Sequence, residues 1–408
     1  MGKNKAKLNQ KISFSRRSLG SENEAVPAPL ARLANKTHRV SLPRGKPTGY
    51  SARGTGGVFL EEESAAADAD FNVSPRQSRG VLHTNKKIVV IGGGTGTFTV
   101  LSGLKYYPVD LAAVVTMADD GGSTGRLRDE FGVLPPGDLR QCLVALSEAG
   151  EVMRKLFNHR FDSGELAGHN FGNIFISTLE QVTGSLDQAL DVAGRLLNIR
   201  GRVIPVTLSK VGLIAELKNG KVLEGESALS DYQLVSRFGI KKIYLKPKAK
   251  ANKKAIDAIE DADLVVVGPG NLYASLIPNF LVDGIGRALV ASKAKKVYVA
   301  NLMNKNGHTD DFCVSDYVRA LESVIGKKRV FDAVIYNTKK PTQALLRKYA
   351  DEGSPVETSS ECFKEGFRLV GANLLADEIA KTAKKDLLRR TLIRHDPKKL
   401  ASVLMQSL

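Results

Sequence analysis

A chain of 408 residues with 42% hydrophobic side chains is long enough to bury one large α/β core or two smaller ones. Its formal charge of +17 suits anionic partners, whether nucleotides, phosphorylated sugars, nucleic acid or a membrane surface, without choosing among them. Cys142, Cys313 and Cys362 lie far apart with no CxxC pair, which argues against a disulfide framework or a cysteine zinc site and fits a reducing cytoplasm; no apolar run of membrane-spanning length and no secretory h-region is present.

Residues 1–85 carry 14 basic and 7 acidic side chains, no sustained periodicity and an acidic patch at Glu61-Glu62-Glu63, so this stretch reads as a disordered basic tail. As a tether it would serve nucleic acid or a membrane surface through salt-sensitive contacts. From Lys86 the composition changes. Ile88 to Ile91 form an apolar run ending in Gly92-Gly93-Gly94-Thr95-Gly96-Thr97 and a helical pattern through Leu104, which is strand, glycine turn, helix. A second strand over residues 110–117 runs into another small-residue turn, Ala118 to Gly125. After Pro135-Pro136-Gly137, Asp138 is placed as a helix cap, with Leu139, Cys142, Leu143 and Leu146 on one face. Helices are predicted over 173–182 and 186–197. Short strands over 203–208, 213–217 and 221–225, the last two flanking Asn219-Gly220, read as a small β insertion spanning about 203–226.

The strand–turn–helix pattern resumes at residues 263–267 before Gly268-Pro269-Gly270-Asn271 and a long apolar helix interrupted by Pro278. Strands over 296–301 and 330–337 follow, and Asp396-Pro397 marks a late helix start that suffices to explain His395 beside it. Five or six mostly parallel strands with helices between them define a doubly wound α/β fold.

Glycine turns between a strand and a helix bring backbone N–H groups and the helix dipole to bear on a phosphate. The first turn is neither G-x-G-x-x-G, because Thr97 stands at the third glycine, nor a Walker A loop. A plain tight βα turn would also use these glycines. Asp119 and Asp120 fall at the carboxyl end of a strand, where they suit sugar or ribose hydroxyls, a hard divalent cation, or simply the start of a turn. Arg140 sits in the first turn of its helix, where the dipole disfavours a cation unless an anion is near; Arg126 and Arg128 are placed either to join it or to form an exposed charged helix face. Gly168-His169-Asn170-Phe171-Gly172-Asn173 offers one imidazole and two carboxamides, with no second histidine at zinc-ligand spacing. In the loop from Gly268, Tyr273 is placed to stack on a base or to pack on its own helix. No local Ser-His-Asp or Cys-His arrangement and no aromatic-interleaved basic pattern supports a hydrolase or an RNA module.

In chain order, GGGTGT, ADDGGSTGRLRDEFG, LPPGDLRQCL, HNFGN, GPGNLYAS and RHDPKKLA resemble the gluconeogenesis-factor (YvcK-type) family of bacterial proteins, within the CofD-like superfamily of 2-phospho-L-lactate transferases, over about residues 86–400. The resemblance implies a Rossmann-like, commonly homodimeric protein that binds UDP-sugars such as UDP-N-acetylglucosamine and acts in carbon-flux control, cell-wall precursor supply and cell shape. An enzyme of amino-sugar or wall-precursor synthesis is the partner it suggests. The ligand set it implies is Gly93, Gly94, Thr95, Asp119, Asn170, Asn173, Gly270 and Tyr273; the residues themselves add Gly96, Asp120, Ser123, Arg140, His169, Gly268 and Asn271. A sensor of this kind needs no cofactor. The transferase alternative needs Mg²⁺, with Asp119 or Asp120 as its holders, although the transferases' acceptor segment is replaced here by Gly121-Gly122-Ser123-Thr124-Gly125. Two departures from the family pattern stand out, Asn271 in place of serine and Lys305-Asn306-Gly307-His308 in place of Gln-Pro-Gly-Glu.

Overall fold

A computed structural model describes residues 86–229, 232–358, 367–377 and 393–408; the tail expected over 1–85 and Cys362 lie outside them. The chain opens with β1 (Lys87–Gly92), α1 (Gly94–Leu104), β2 (Asp110–Val115), α2 (Gly122–Phe131), α3 (Gly137–Leu146), α4 (Glu151–Asn158), α5 (Phe171–Thr183), α6 (Leu186–Leu196) and β3 (Arg202–Pro205). Next come β4 (Gly212–Leu217), β5 (Val222–Glu224), α7 (Glu226–Leu229), α8 (Tyr232–Phe238), β6 (Ile240–Lys246), α9 (Lys253–Glu260) and β7 (Leu264–Val267). A π-helical turn (Leu272–Leu276), α10 (Ile277–Phe280), α11 (Ile285–Ala291), β8 (Lys295–Val299), α12 (Val314–Ile325), β9 (Ala333–Asn337), α13 (Gln343–Tyr349), β10 (Arg368–Ala372) and α14 (Pro397–Met405) complete it.

Seven strands form one sheet in the order β10-β9-β8-β7-β1-β2-β3, every neighbouring pair parallel. Parallel strands are covered on both faces, which is why β1 and β7 read as unbroken apolar runs: Ile88 to Ile91 and Leu264 to Val267 are all buried. The expected doubly wound α/β fold is thus present, with more strands than the sequence suggested. β10 escaped notice because Arg-Leu-Val-Gly-Ala is short and only partly buried.

The β insertion differs from its expected makeup. The strand read at 203–208 is Arg202–Pro205 and pairs with β2 as an edge of the main sheet, Ala113 opposite Val203 and Val114 opposite Ile204. The insertion is instead the three-stranded antiparallel sheet β5-β4-β6, turned at Asn219-Gly220, where Lys221 N donates to Asn219 Oδ1 at 3.1 Å. Its third strand carries Lys241, Lys242 and Lys246, exposed charges of the kind that protect a sheet edge and hide a strand in sequence. The long helix expected after Gly270 is likewise divided into the π turn, α10 with Pro278 in its first turn, and α11.

α1 packs against α3 on one side and α14 on the other. Asp396 caps α14 as expected, accepting from Lys398 N and Lys399 N at 2.9 Å each. No described helix is long and apolar enough to cross a membrane.

The α1–α14 crossing leaves no room for a side chain at Gly103, where an added Cβ would fall 2.0 Å from the Pro397 carbonyl oxygen and 2.9 Å from Ala401 Cβ. Gly103→Ala is expected to lower stability by about 1–3 kcal/mol through this overpacking. Hydrogen exchange should rise first in residues 397–405; an unchanged denaturant midpoint would show that the helices separate freely.

Candidate functional site

After β1 the chain winds outward through β2 to β3, then crosses to the other side of β1 at β7 and winds outward again. The reversal between β1 and β7 is the switch point where an open parallel sheet leaves a crevice at its carboxyl edge. The loops that follow these two strands are the first and last glycine loops of the sequence. They touch: Gly268 N donates to Ile91 O at 3.0 Å, and a Cβ on Gly96 would sit 1.7 Å from the Pro269 carbonyl oxygen, so only glycine permits the approach. Asn301 at the end of β8 clasps the second loop, accepting from Gly270 N at 3.3 Å and donating to Gly270 O at 2.7 Å. Asn271 accepts from the Tyr273 and Ala274 amides at 3.2 and 3.4 Å, a capping task that asparagine and serine can both perform. Tyr273 rises from that turn half-buried, edge-on to His308 with ring centroids 6.0 Å apart.

The loop after β2 is knitted to the start of α5. Ser123 Oγ accepts from Asn170 N at 3.1 Å and lies 3.4 Å from His169 Nδ1, while Asn170 Oδ1 caps α5 by accepting from Asn173 N at 3.2 Å. Asn173 is itself a relay. Arg140 Nε donates to Asn173 Oδ1 at 2.8 Å, Asn173 Nδ2 donates to Thr124 Oγ1 at 3.4 Å, and the Thr124 hydroxyl bonds Asp119. Arg140 also donates to Asn158 Oδ1 at 2.7 Å. The anions near this first-turn arginine are the chain's own: its charge favours the ionised forms of both Asp119 and Asp138. Arg126 donates to the Ala167 carbonyl and Arg128 pairs with Asp129. His169 is buried, and burial with the charges of Arg126 and Arg160 holds its pKa below the ordinary imidazole value.

Asp138 does not cap α3; Pro136 occupies that position, and the Asp138 carboxylate instead bonds the Gly94 amide of the first glycine loop. Burial, with the nearby Asp119 charge, raises its pKa to about 7. Burial raises Asp119 as well, against bonds from the Gly121 amide and Thr124. A third carboxyl, Glu226, comes from the β insertion. Burial and the repulsion of Asp119, Asp138 and Asp120 push it well above the usual carboxylate range, opposed by Lys305. Bonds that hold the segment carrying it include Ser227 N donating to Asp120 Oδ1 at 2.9 Å and His308 Nε2 meeting Leu229 O at 2.5 Å. Among the described residues no three of His, Cys, Asp and Glu are arranged to hold a metal ion.

The structure therefore gathers Gly93, Gly94 and Gly96, Asp119 and Asp120, and Gly268 to Tyr273 at one edge, and uses Ser123, Arg140, His169, Asn170 and Asn173 to fix the loops to each other. Sequence reasoning missed Glu226 and Asn301 and misassigned Asp138. Lys305 and His308 showed only as departures from a family pattern.

A carboxyl whose folded pKa exceeds its unfolded value keeps its proton in the native state after the unfolded chain has released it, so stability falls as pH rises between the two values. For Asp138 that window runs from about 4 to about 7, and the full penalty is at most about 4 kcal/mol. Asp138→Asn should raise the thermal midpoint at pH 8 and leave it nearly unchanged at pH 4. Equal shifts at both pH values would refute the charge explanation.

Comparison with known proteins agrees with this architecture. A protein-family model described as "2-phospho-L-lactate transferase CofD" matches residues 88–375. A protein named putative gluconeogenesis factor from a Nostoc strain is 44% identical over 329 residues, covering 80% of this chain and 69% of the relative. The Bacillus subtilis gluconeogenesis factor is 39% identical over 325 residues, 79% of this chain and 98% of its own. A crystal structure of a Bacillus halodurans protein superposes with a TM-score of 0.72 at 36% identity, covering 79% of this chain and 99% of that one. With relatives this similar over two thirds or more of their length and the family match spanning the sheet and its glycine loops, the chain belongs to the gluconeogenesis-factor family, with a CofD-like domain.

Proposed function

We propose that the chain is a regulatory protein that binds a UDP-sugar of the UDP-N-acetylglucosamine class at the β1–β7 switch point, linking carbon flux to cell-wall precursor supply and cell shape. The observation that carries this reading is the meeting of two glycine loops beside Tyr273. α1 starts from an N-cap glycine that contributes no side-chain cap; Asp138 takes the Gly94 amide, and the other first-turn amides and the helix dipole suit a pyrophosphate. Tyr273 supplies an aromatic face at the adjoining loop. Ser123, His169, Asn170 and Asn173 bond one another or the neighbouring loops, which favours a recognition scaffold over a set of reacting groups. Ligand binding then shifts the population of a surface offered to an enzyme of amino-sugar or wall-precursor synthesis.

The second reading is a Mg²⁺-dependent transferase using a nucleotide-activated phospholactate-like donor. Its support is the mutual repulsion of Asp119, Asp138 and Glu226, which a divalent cation would relieve. Calorimetric titration of the full chain with UDP-N-acetylglucosamine, with and without Mg²⁺, separates the two. Saturable binding without product is expected, and Tyr273→Ala should weaken it about tenfold or more through the lost stacking. Mg²⁺-dependent product formation from such a donor, without UDP-sugar binding, would replace the first reading by the second.

A further inference from the structure

Ser275 lies in the π-helical turn that follows the second glycine loop. Its backbone is committed: Ser275 N donates to Asn271 O at 2.8 Å, and Ser275 O accepts from Asn279 Nδ2 at 2.8 Å. Its hydroxyl is not. Hydroxyls on other helices of this chain return to the carbonyl four residues back, as Thr97 does to Gly93, Thr99 to Thr95 and Thr178 to Ile174. For Ser275 that carbonyl is Asn271 O, already shared by the Ser275 and Leu276 amides, and the hydroxyl has no hydrogen-bond partner among the described residues. The residue is half-buried, and its Oγ is not sealed from solvent. Two glycines locate that oxygen. A Cβ on Gly270 would lie 3.3 Å from Ser275 Cβ, and a Cβ on Gly94 would lie 3.7 Å from Ser275 Oγ and 3.8 Å from Asp138 Oδ1. Ser275 therefore stands against the second glycine loop and reaches the first residue of α1 with its hydroxyl. Among the described residues, no other atom outside Gly94's chain neighbours and the α1 backbone lies within 4 Å of that point, so the space beside Gly94 is open.

We propose that Ser275 is a ligand-binding residue of this site, its hydroxyl donating to a phosphate oxygen of the bound molecule at the start of α1. The first-turn amides of α1 left over by Asp138 supply donors from one loop, and Ser275 supplies a donor from the other, at the same place. The hydroxyl has its hydrogen to give, because no carbonyl of the chain takes it. Asp138 is the acid that a phosphate must face there, and its pKa of about 7 keeps the uncharged form within reach. The inference rests on the nucleotide-sugar reading above.

Full-length wild type and Ser275→Ala are titrated with UDP-N-acetylglucosamine, UDP-glucose and UDP, alongside thermal unfolding without ligand. Because the hydroxyl bonds nothing within the chain, S275A is expected to keep the wild-type unfolding midpoint. It should bind all three ligands about tenfold or more weakly, the equivalent of one lost hydrogen bond to a charged group. A second measurement ties the loss to the phosphates. At saturation with UDP-N-acetylglucosamine, one of the two ³¹P resonances of the bound molecule should differ between wild type and S275A. S275A binding within twofold of wild type, a loss confined to the two sugar-bearing ligands, or bound ³¹P resonances that are the same in both proteins overturns the inference alone. Failure of wild type to bind any of the three overturns the inference together with the nucleotide-sugar reading.

Discussion

The functional edge depends on two backbones passing in contact, the loop after β1 at Gly96 and the loop after β7 at Pro269. A parallel sheet sends all its carboxyl ends to one edge, but it does not by itself bring two of those ends together. The chain reversal beside β1 does, and the missing side chain at Gly96 lets the approach become a contact. Asn301 then fixes the second loop from the next strand, so three consecutive strands of the sheet contribute to one rigid rim.

Around that rim the electrostatics are unusual for a site meant to receive an anion. Burial raises the pKa of Asp119, Asp138 and Glu226, the charge of Asp119 adds to Asp138, and Asp119, Asp138 and Asp120 add to Glu226, while Arg140 opposes the shifts of the two aspartates and Lys305 that of Glu226. Arg140 comes from the main sheet's helices and acts through Asn173 and Thr124, whereas Lys305 comes from the segment after β8 and acts on a residue of the insertion. The acidic group is thus shared between separate parts of the chain. Burial of charge here costs stability and gives in return a cluster whose state responds to whatever charge arrives.

Much of this could be read before any coordinates. Continuous apolar runs such as Ile88 to Ile91 mark strands buried on both faces, and glycine clusters at their ends mark the edge where ligands bind. Asp396-Pro397 carries its own capping chemistry and needs no tertiary context. Asp138 also looks like a cap, and there local chemistry misled, because the Gly94 amide of a distant loop competes for the same carboxylate. Glu226 has no local signature at all; it gains meaning only when the insertion meets Asp120 in the loop after β2. β6 stayed hidden because its lysines obscure the apolar alternation of Ile240, Ile243 and Leu245. Tertiary placement accounts for what the sequence concealed, and periodicity and turn chemistry for what it revealed.

Among the described strands, the polypeptide passes only once from the half of the sheet built on β1, β2 and β3 to the half built on β7 through β10. That passage is the stretch between β3 and β7, the same stretch that holds Glu226 and reaches both Asp120 on one half and His308 on the other. Crossing and cover are therefore one piece of chain. The same segment therefore ties the loop after β2 to the segment after β8, across the β1–β7 pairing that joins the two halves of the sheet.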